Sequence, residues 1–502
     1  MDTKRAASII ELLPPNILAE IYTHCLTQKR RLHKKEVPLS VCHVCSSWRK
    51  AALNCSRLWN ALHVDLDNIS RVARAPIALN LEDMVEFWFN NAGAEPLLPL
   101  FFTLTASRPF HLQNILNGLV PFADRLRSLT LHGVSTGHLD TLTRLEKGMF
   151  SNLEMMSITV RLGGVDFMNR NEHANIMVFE SGPVLRKARI DSDLIRMGLP
   201  WGQLTHLCIL NGFKLSTVGW RTVFTQCPLL QRGSFCVFVP NVIGQVRVPC
   251  RPTSGAGVTY PDLVMLRLTI AGEFAPSVFD GLYFPALQAF RAASGHGTLF
   301  YPLYRPNNLF RQLSTAPLQS LVLSRVDIPL EDIVELLCTI TCLKLERLAI
   351  DLPGIDNAAL FQALLDRTTS VVMGRGSGNS RPLRCLTSFI VRLPTEEDGY
   401  GKWERNWVIF EPAMLKAFVR LVAYLSEEKD TNDITAKLKS VTVYLGLCGR
   451  ATAENVEWLE EKMTDEFEDT HLSSPVRFIM SEEGGDWDVG WCQWEDEAFW
   501  HP

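Results

Sequence analysis

One pattern constrains this chain more than any other, a six-residue unit Leu-x-x-Leu-x-Leu in which other apolar residues can stand in for leucine. It reads Leu126-Leu129-Leu131, Leu153-Met156-Ile158, Leu204-Leu207-Ile209, Leu263-Leu266-Leu268, Leu318-Leu321-Leu323 and Leu345-Leu348-Ile350. Looser copies start at Leu185, Leu230, Leu287, Leu386 and Leu438. A bulky or thiol residue stands three positions ahead of several starts: Phe150, Trp201, Cys227, Tyr260 and Phe284. An ordinary α/β domain whose apolar strands merely contain leucine accounts for one such signature; two independent ones recurring together favour a repeat.

The physics is that of leucine-rich repeats: a short strand turns alternate leucines inward, a helix or turn returns on the other side, and neighbouring repeats close a shared core. Returning helices are visible in the spacers, where Ile333, Leu336, Leu337 and Ile340 mark one face and Trp220, Val223 and Phe224 another. Spacings between starts run from 19 residues (185 to 204) to 52 (386 to 438), and the asparagine expected after each strand is missing. The expected fold class is therefore α/β. It comprises a small N-terminal helical module at 8–62, an irregular leucine-rich-repeat-like solenoid with a curved parallel sheet at 63–450, and an acidic, Trp-rich cap or tail at 451–502. A 502-residue chain would otherwise suggest about three ordinary domains.

With 47% hydrophobic and 21% charged residues the chain can bury a large core. Its net charge of -4 provides no global positive field of the kind that gathers nucleic acid or anionic lipid. The thirteen cysteines are scattered, mostly in apolar patterns, which suits a reducing compartment. No basic leader precedes an apolar run, and the longest uncharged apolar stretch, Leu97 to Ala106, is too short to span a bilayer and reads as a buried strand. A cytoplasmic or nuclear location is expected. Arg247 to Thr259 and the Gly/Ser-rich Gly374 to Ser380 read as surface loops.

The N-terminal segment carries the functional signal. Apolar residues at 13, 17, 18, 21, 22, 25 and 26 form one stripe at helical spacing, opened by Pro14-Pro15. Val41, Val44, Cys45, Trp48 and Ala52 form a second, and Lys29, Arg30, Arg31, Lys34 and Lys35 lie between. Leu13-Pro14-Pro15-Asn16-Ile17-Leu18, then Val44-Cys45-Ser46-Ser47-Trp48-Arg49, then Leu58-Trp59 resembles the F-box in order and spacing over Leu13 to Trp59. The basic link is longer than usual, as in the F-box-like proteins of higher fungi, and Glu86-Phe87-Trp88 with Asn91-Ala92-Gly93 is similar to that group.

The resemblance implies a Skp-type adaptor coupling the chain to a cullin-RING ubiquitin ligase, with the solenoid as receptor for a target protein. So small a module cannot satisfy all its apolar side chains internally, so the surplus should lie in a partner's groove. Leu13, Pro14, Ile17, Leu18, Tyr22 and Leu39 are the expected adaptor contacts, and Ile21, Val44, Cys45, Trp48, Leu58 and Trp59 the module's own core. The bland alternative is that these helices simply cap the solenoid's end, leaving a repeat scaffold without a ligase.

Cys42-x-x-Cys45 with His24 and His43 imitates a zinc site, but a single pair without a second is weak. No His-Glu-x-x-His, Gly-x-Ser-x-Gly or Walker sequence occurs, so no enzyme, metal or cofactor is expected. If the second and third leucines of each unit point inward, the residues flanking them face out on the sheet. Those positions hold Lys187, Arg189, Arg232, Arg267, Arg291, Arg347 and Arg392, against Asp191 and Asp351. They form either a basic ladder for an acidic or phosphorylated target segment or a solvated face paired locally. The acidic runs Glu454 to Asp469 and Glu482 to Glu497, the second with Trp487, Trp491 and Trp494, could cap the last repeat or cover the basic face.

Overall fold

The computed structural model describes residues 13–26, 35–66, 81–93, 98–105, 112–134, 141–160, 176–191, 197–210, 217–238, 258–271, 281–294, 316–324, 330–339, 344–351, 357–372, 385–393, 412–426, 440–446 and 476–481, with a few isolated positions between them. Two compact units emerge, Met1–Asn211 and Gly212–Pro502, a division that falls inside the region expected at 63–450. Both are α/β, with every paired strand parallel to its neighbours. No described helix is long and apolar enough to cross a membrane.

Among the described residues of Met1–Asn211, three short helices come first, α1 (Pro15–His24), α2 (Leu39–Cys42) and α3 (Ser46–Leu53). The described strands follow in chain order: β1 (Ala61–Asp65), β2 (Leu100–Thr105), β3 (Leu126–Val134), β4 (Met155–Val160), β5 (Lys187–Asp191) and β6 (His206–Leu210). Helices α4 (Leu81–Asn91) and α5 (Leu112–Leu119) return between the first three strands and pack together. Their approach is close enough that Gly118 stands where a Cβ would lie 2.9 Å from the Glu82 carbonyl oxygen.

Gly212–Pro502 repeats the scheme. Its main sheet orders β7 (Arg232–Phe238), β9 (Met265–Ala271), β11 (Ala289–Ser294), β12 (Ser320–Ser324), β13 (Arg347–Asp351), β14 (Ser388–Leu393), β15 (Ser440–Gly446) and β16 (Val476–Ser481). The two-residue strands β8 (Val258–Thr259) and β10 (Leu282–Tyr283) pair separately. Helices α6 (Thr217–Gln226), α7 (Leu330–Thr339), α8 (Asn357–Val372) and α9 (Pro412–Ser426) supply returns. The buried Ile333, Leu336 and Leu337 on α7, and Trp220, Val223 and Phe224 on α6, are the faces expected from the spacers. Ile340 and the Gly374 to Ser380 loop lie outside the described residues, as do the acidic runs; β16 shows that part of 451–502 extends the sheet.

Ten of the eleven repeat leucines stand two residues ahead of a strand, and at Leu126 the strand begins with the leucine itself. The reason is a turn. The N–H of Leu153 donates to the Phe150 carbonyl at 3.2 Å, and Leu204, Leu230 and Leu287 bond Trp201, Cys227 and Phe284 at the same distance. Each marker residue is thus the first position of a β-turn whose fourth is the repeat leucine. The next residue's N–H reaches the equivalent carbonyl of the preceding repeat, as in Glu154 to Arg127, Arg186 to Glu154, Gln288 to Val264 and Glu346 to Gln319, each at 2.9 or 3.0 Å. Turn and ladder together set the register, and a register set this way sends the second and third unit leucines to one face. Met156, Ile158, Leu207, Ile209, Leu266, Leu268, Leu321, Leu323, Leu348 and Ile350 are all buried there.

Candidate interaction surfaces

The helical module is assembled from local rules. Pro14 and Pro15 start α1, where a missing N–H costs nothing. Cys45 caps α3: its Sγ accepts from the backbone N–H of Trp48 at 3.5 Å, while the Trp48 ring meets Tyr22 of α1. Arg49 Nε closes the other side by donating to the Cys42 carbonyl at 2.8 Å. Trp59 is fully buried, donates its indole N–H to Ala52 O at 2.9 Å, and meets Trp88 edge-on at 5.0 Å. The module also lies against the first strand, since the Leu32 N–H reaches His63 O at 3.0 Å. Covering a sheet edge in this way is one part of the capping alternative.

The apolar stripe of α1 divides in two. Leu18 and Tyr22 are 2% and 1% exposed, with the Tyr22 ring 5.5 Å from Trp48. Ile17 and Ile21, one position earlier in each turn, are both 43% exposed. This corrects two expectations: Leu18 and Tyr22, expected at the adaptor, face the module's own core, whereas Ile21, expected in that core, faces outward. Val44, also expected inside, is 58% exposed. The physical reason is that residues i and i+1 differ by about 100° around a helix, so a stripe this broad cannot all face one way. Pro14 is exposed, Leu13, Leu39, Cys45 and Trp48 are half-buried, and Leu58 joins Trp59 in the core.

Burial without a hydrogen-bond partner pushes the Tyr22 hydroxyl up to about 12, with the Cys45 and Cys42 thiols adding to the shift. Burial likewise raises Cys42, against the lowering influence of Arg49. Among the described residues no three His, Cys, Asp or Glu side chains gather to hold an ion.

The face opposite the leucines is less open than expected. Arg291 is only 6% exposed, and its register neighbours Val322, Ala349 and Ile390 form a buried apolar cluster. Arg291 is therefore not on a solvated surface; strands β12 to β14 continue its row with apolar side chains, while β9 and β7 continue it on the other side with Arg267 and Ser234. Lys187, Arg189, Arg232, Arg267 and Arg347 are half-buried, and the side chain of Arg392 lies outside the described residues. Burial lowers Arg232 from its ordinary range. Serines missed by charge reasoning accompany these cations on adjacent strands: Ser157 beside Arg189, Ser234 beside Arg267, and Ser320 beside Arg347. The signal for them was present, since they occupy the same alternate positions as the arginines.

Compared with known proteins, no protein family matches the chain and no curated protein matches it either.

Proposed function

We propose that the chain is a substrate receptor of a cullin-RING ubiquitin ligase, in which the N-terminal helices dock on a Skp-type adaptor and an irregular leucine-rich solenoid holds the target. The observation that carries this reading is the outward set Ile17, Ile21 and Val44, with Pro14 beside them, on a module whose inner positions Leu18, Tyr22, Leu58 and Trp59 are already filled. Exposed apolar side chains on one small helical module suit the apolar groove of a partner. The order of the F-box-like residues, Leu13-Pro14, Val44-Cys45 and Leu58-Trp59, supplies the partner's identity. Parallel strands that pair in chain order in both units support the solenoid.

The test is capture of a purified Skp-type adaptor by the full chain. Wild type is expected to retain it, and the triple substitution Ile17→Asp, Ile21→Asp, Val44→Asp to lose it while keeping its circular dichroism. No capture by wild type, or equal capture by the variant, refutes the reading. In the first case a repeat scaffold whose N-terminal helices only cover β1 takes its place, favoured by the Leu32–His63 backbone bond.

A further inference from the structure

Within Met1–Asn211, two hydrogen-bond donors on the face opposite the leucine core lack acceptors. Ser157 on β4 and Arg189 on β5 are direct register partners, so their side chains rise from strands about 4.8 Å apart on the same face. Ser157 is 6% exposed and its hydroxyl has no hydrogen-bond partner. Arg189 Nε is also buried and unpartnered, and among the described residues Arg189 makes no ion pair. The carboxylate close by in sequence, Asp191, has an oxygen accepting from the Val160 N–H and forms no ion pair with Arg189.

A buried guanidinium N–H and a buried hydroxyl without acceptors cost the native state, and an anion seated between them would recover that cost. Lys187, two residues before Arg189 on β5, and Asp191, two residues after it, stand on the same face, so the charges of these two neighbours offset and the seat is carried by Ser157 and Arg189 themselves. The buried Thr130 on β3 and Cys208 on β6 flank the pair in the same row. We propose that Ser157 and Arg189 form an oxyanion seat for a phosphomonoester, carried by a phosphoserine or phosphothreonine of the target segment. A phosphomonoester carries about -1.5 to -2 charge and three acceptor oxygens, enough to meet the Arg fork and the hydroxyl together. A planar carboxylate satisfies the fork and leaves Ser157 unpaired. The Ser–Arg pairing recurs independently in Gly212–Pro502, where Ser320 beside Arg347 has a buried hydroxyl without a partner. That the phosphate belongs to a target protein rests on the receptor reading above; the seat itself does not.

The experiment uses the full chain and O-phospho-L-serine as probe, followed by isothermal titration at constant chloride. Saturable binding is expected, with serine and glutamate binding at least tenfold more weakly. Arg189→Gln and Ser157→Ala should each weaken it by about tenfold to a hundredfold, the range for hydrogen bonds to a charged group. Arg189→Lys, which keeps the charge without the fork, should fall between wild type and Arg189→Gln and shows that charge alone does not suffice. No saturable binding by wild type, or unchanged binding in both variants with unaltered melting, overturns the seat. An oligothymidylate that competes at lower phosphate concentration than O-phospho-L-serine overturns the assignment to a protein segment. Adaptor capture by the same variants separates the two proposals. Capture with no phosphoserine binding leaves the receptor reading standing alone, and phosphoserine binding with no capture leaves the seat without that reading.

Discussion

Two tyrosines offer the same one-atom perturbation with opposite expected results. Tyr260 is fully buried between Phe224 and Phe284, with ring centroids 4.4 and 6.1 Å away, and its hydroxyl donates to the Phe224 carbonyl at 3.0 Å. Tyr22 is as deeply buried, yet its hydroxyl has no partner. Tyr260→Phe removes a net-favourable hydrogen bond worth about 1 kcal/mol. The Phe224 carbonyl is not orphaned, because the Cys227 N–H still reaches it at 3.1 Å, so the loss should stop there. Tyr22→Phe keeps the ring against Trp48 and deletes a hydroxyl that was dehydrated for nothing, so stability should be unchanged or rise by up to about 1 kcal/mol. With two compact units a single global unfolding energy is ill-defined, so amide hydrogen exchange on α1 and β9 is the appropriate readout. Exchange should quicken about fivefold at β9 in Tyr260→Phe and stay level or slow at α1 in Tyr22→Phe. A clear destabilisation of α1 would mean that the Tyr22 hydroxyl is satisfied and the account of the module's core is wrong.

Three further outcomes follow from the geometry. Ile17 and Ile21 each keep 43% of their surface for a partner, so at about 0.8 kcal/mol per carbon buried, truncation of both to Ala should cost about 2 kcal/mol of adaptor affinity, roughly thirtyfold, with little change in melting temperature. Burial pushes the Cys227 thiol up to about 12 from its usual value near 9, so the native chain binds more protons than the unfolded one between those limits. Stability should therefore fall as pH rises from about 9 to 12, and Cys227→Ala should flatten that slope in urea titrations. Gly118→Ala should destabilise the α4–α5 pair by about 1 to 3 kcal/mol, seen as faster exchange in both helices, since its Cβ would strike Glu82 backbone rather than a movable side chain.

The repeat leucines predicted strand positions well because the turn before each strand and the leucine that ends it are both local. Leu97 to Ala106 contains β2 for the same kind of reason, as an uncharged apolar run. Strand β16 escaped notice: Val476-Arg477-Phe478-Ile479-Met480 has no leucine start and sits among acidic runs, so only its pairing with β15 reveals it. The Ser157–Arg189 pair was half legible. Arg189 stood out by charge, whereas Ser157 is an ordinary serine until β4 and β5 bring the two side by side.

What the order of residues determined alone is periodic: which positions share a strand face, where turns close, and that α1 carries a broad apolar stripe. What it left open is direction. Period sets the spacing of side chains around a helix, but α3, arriving from later in the chain with Trp48 against Tyr22, decides that Leu18 and Tyr22 turn inward while Ile17 and Ile21 remain available. Burial of Arg291 is likewise decided by the strands beside it, because exposure belongs to neighbours and not to any residue taken by itself.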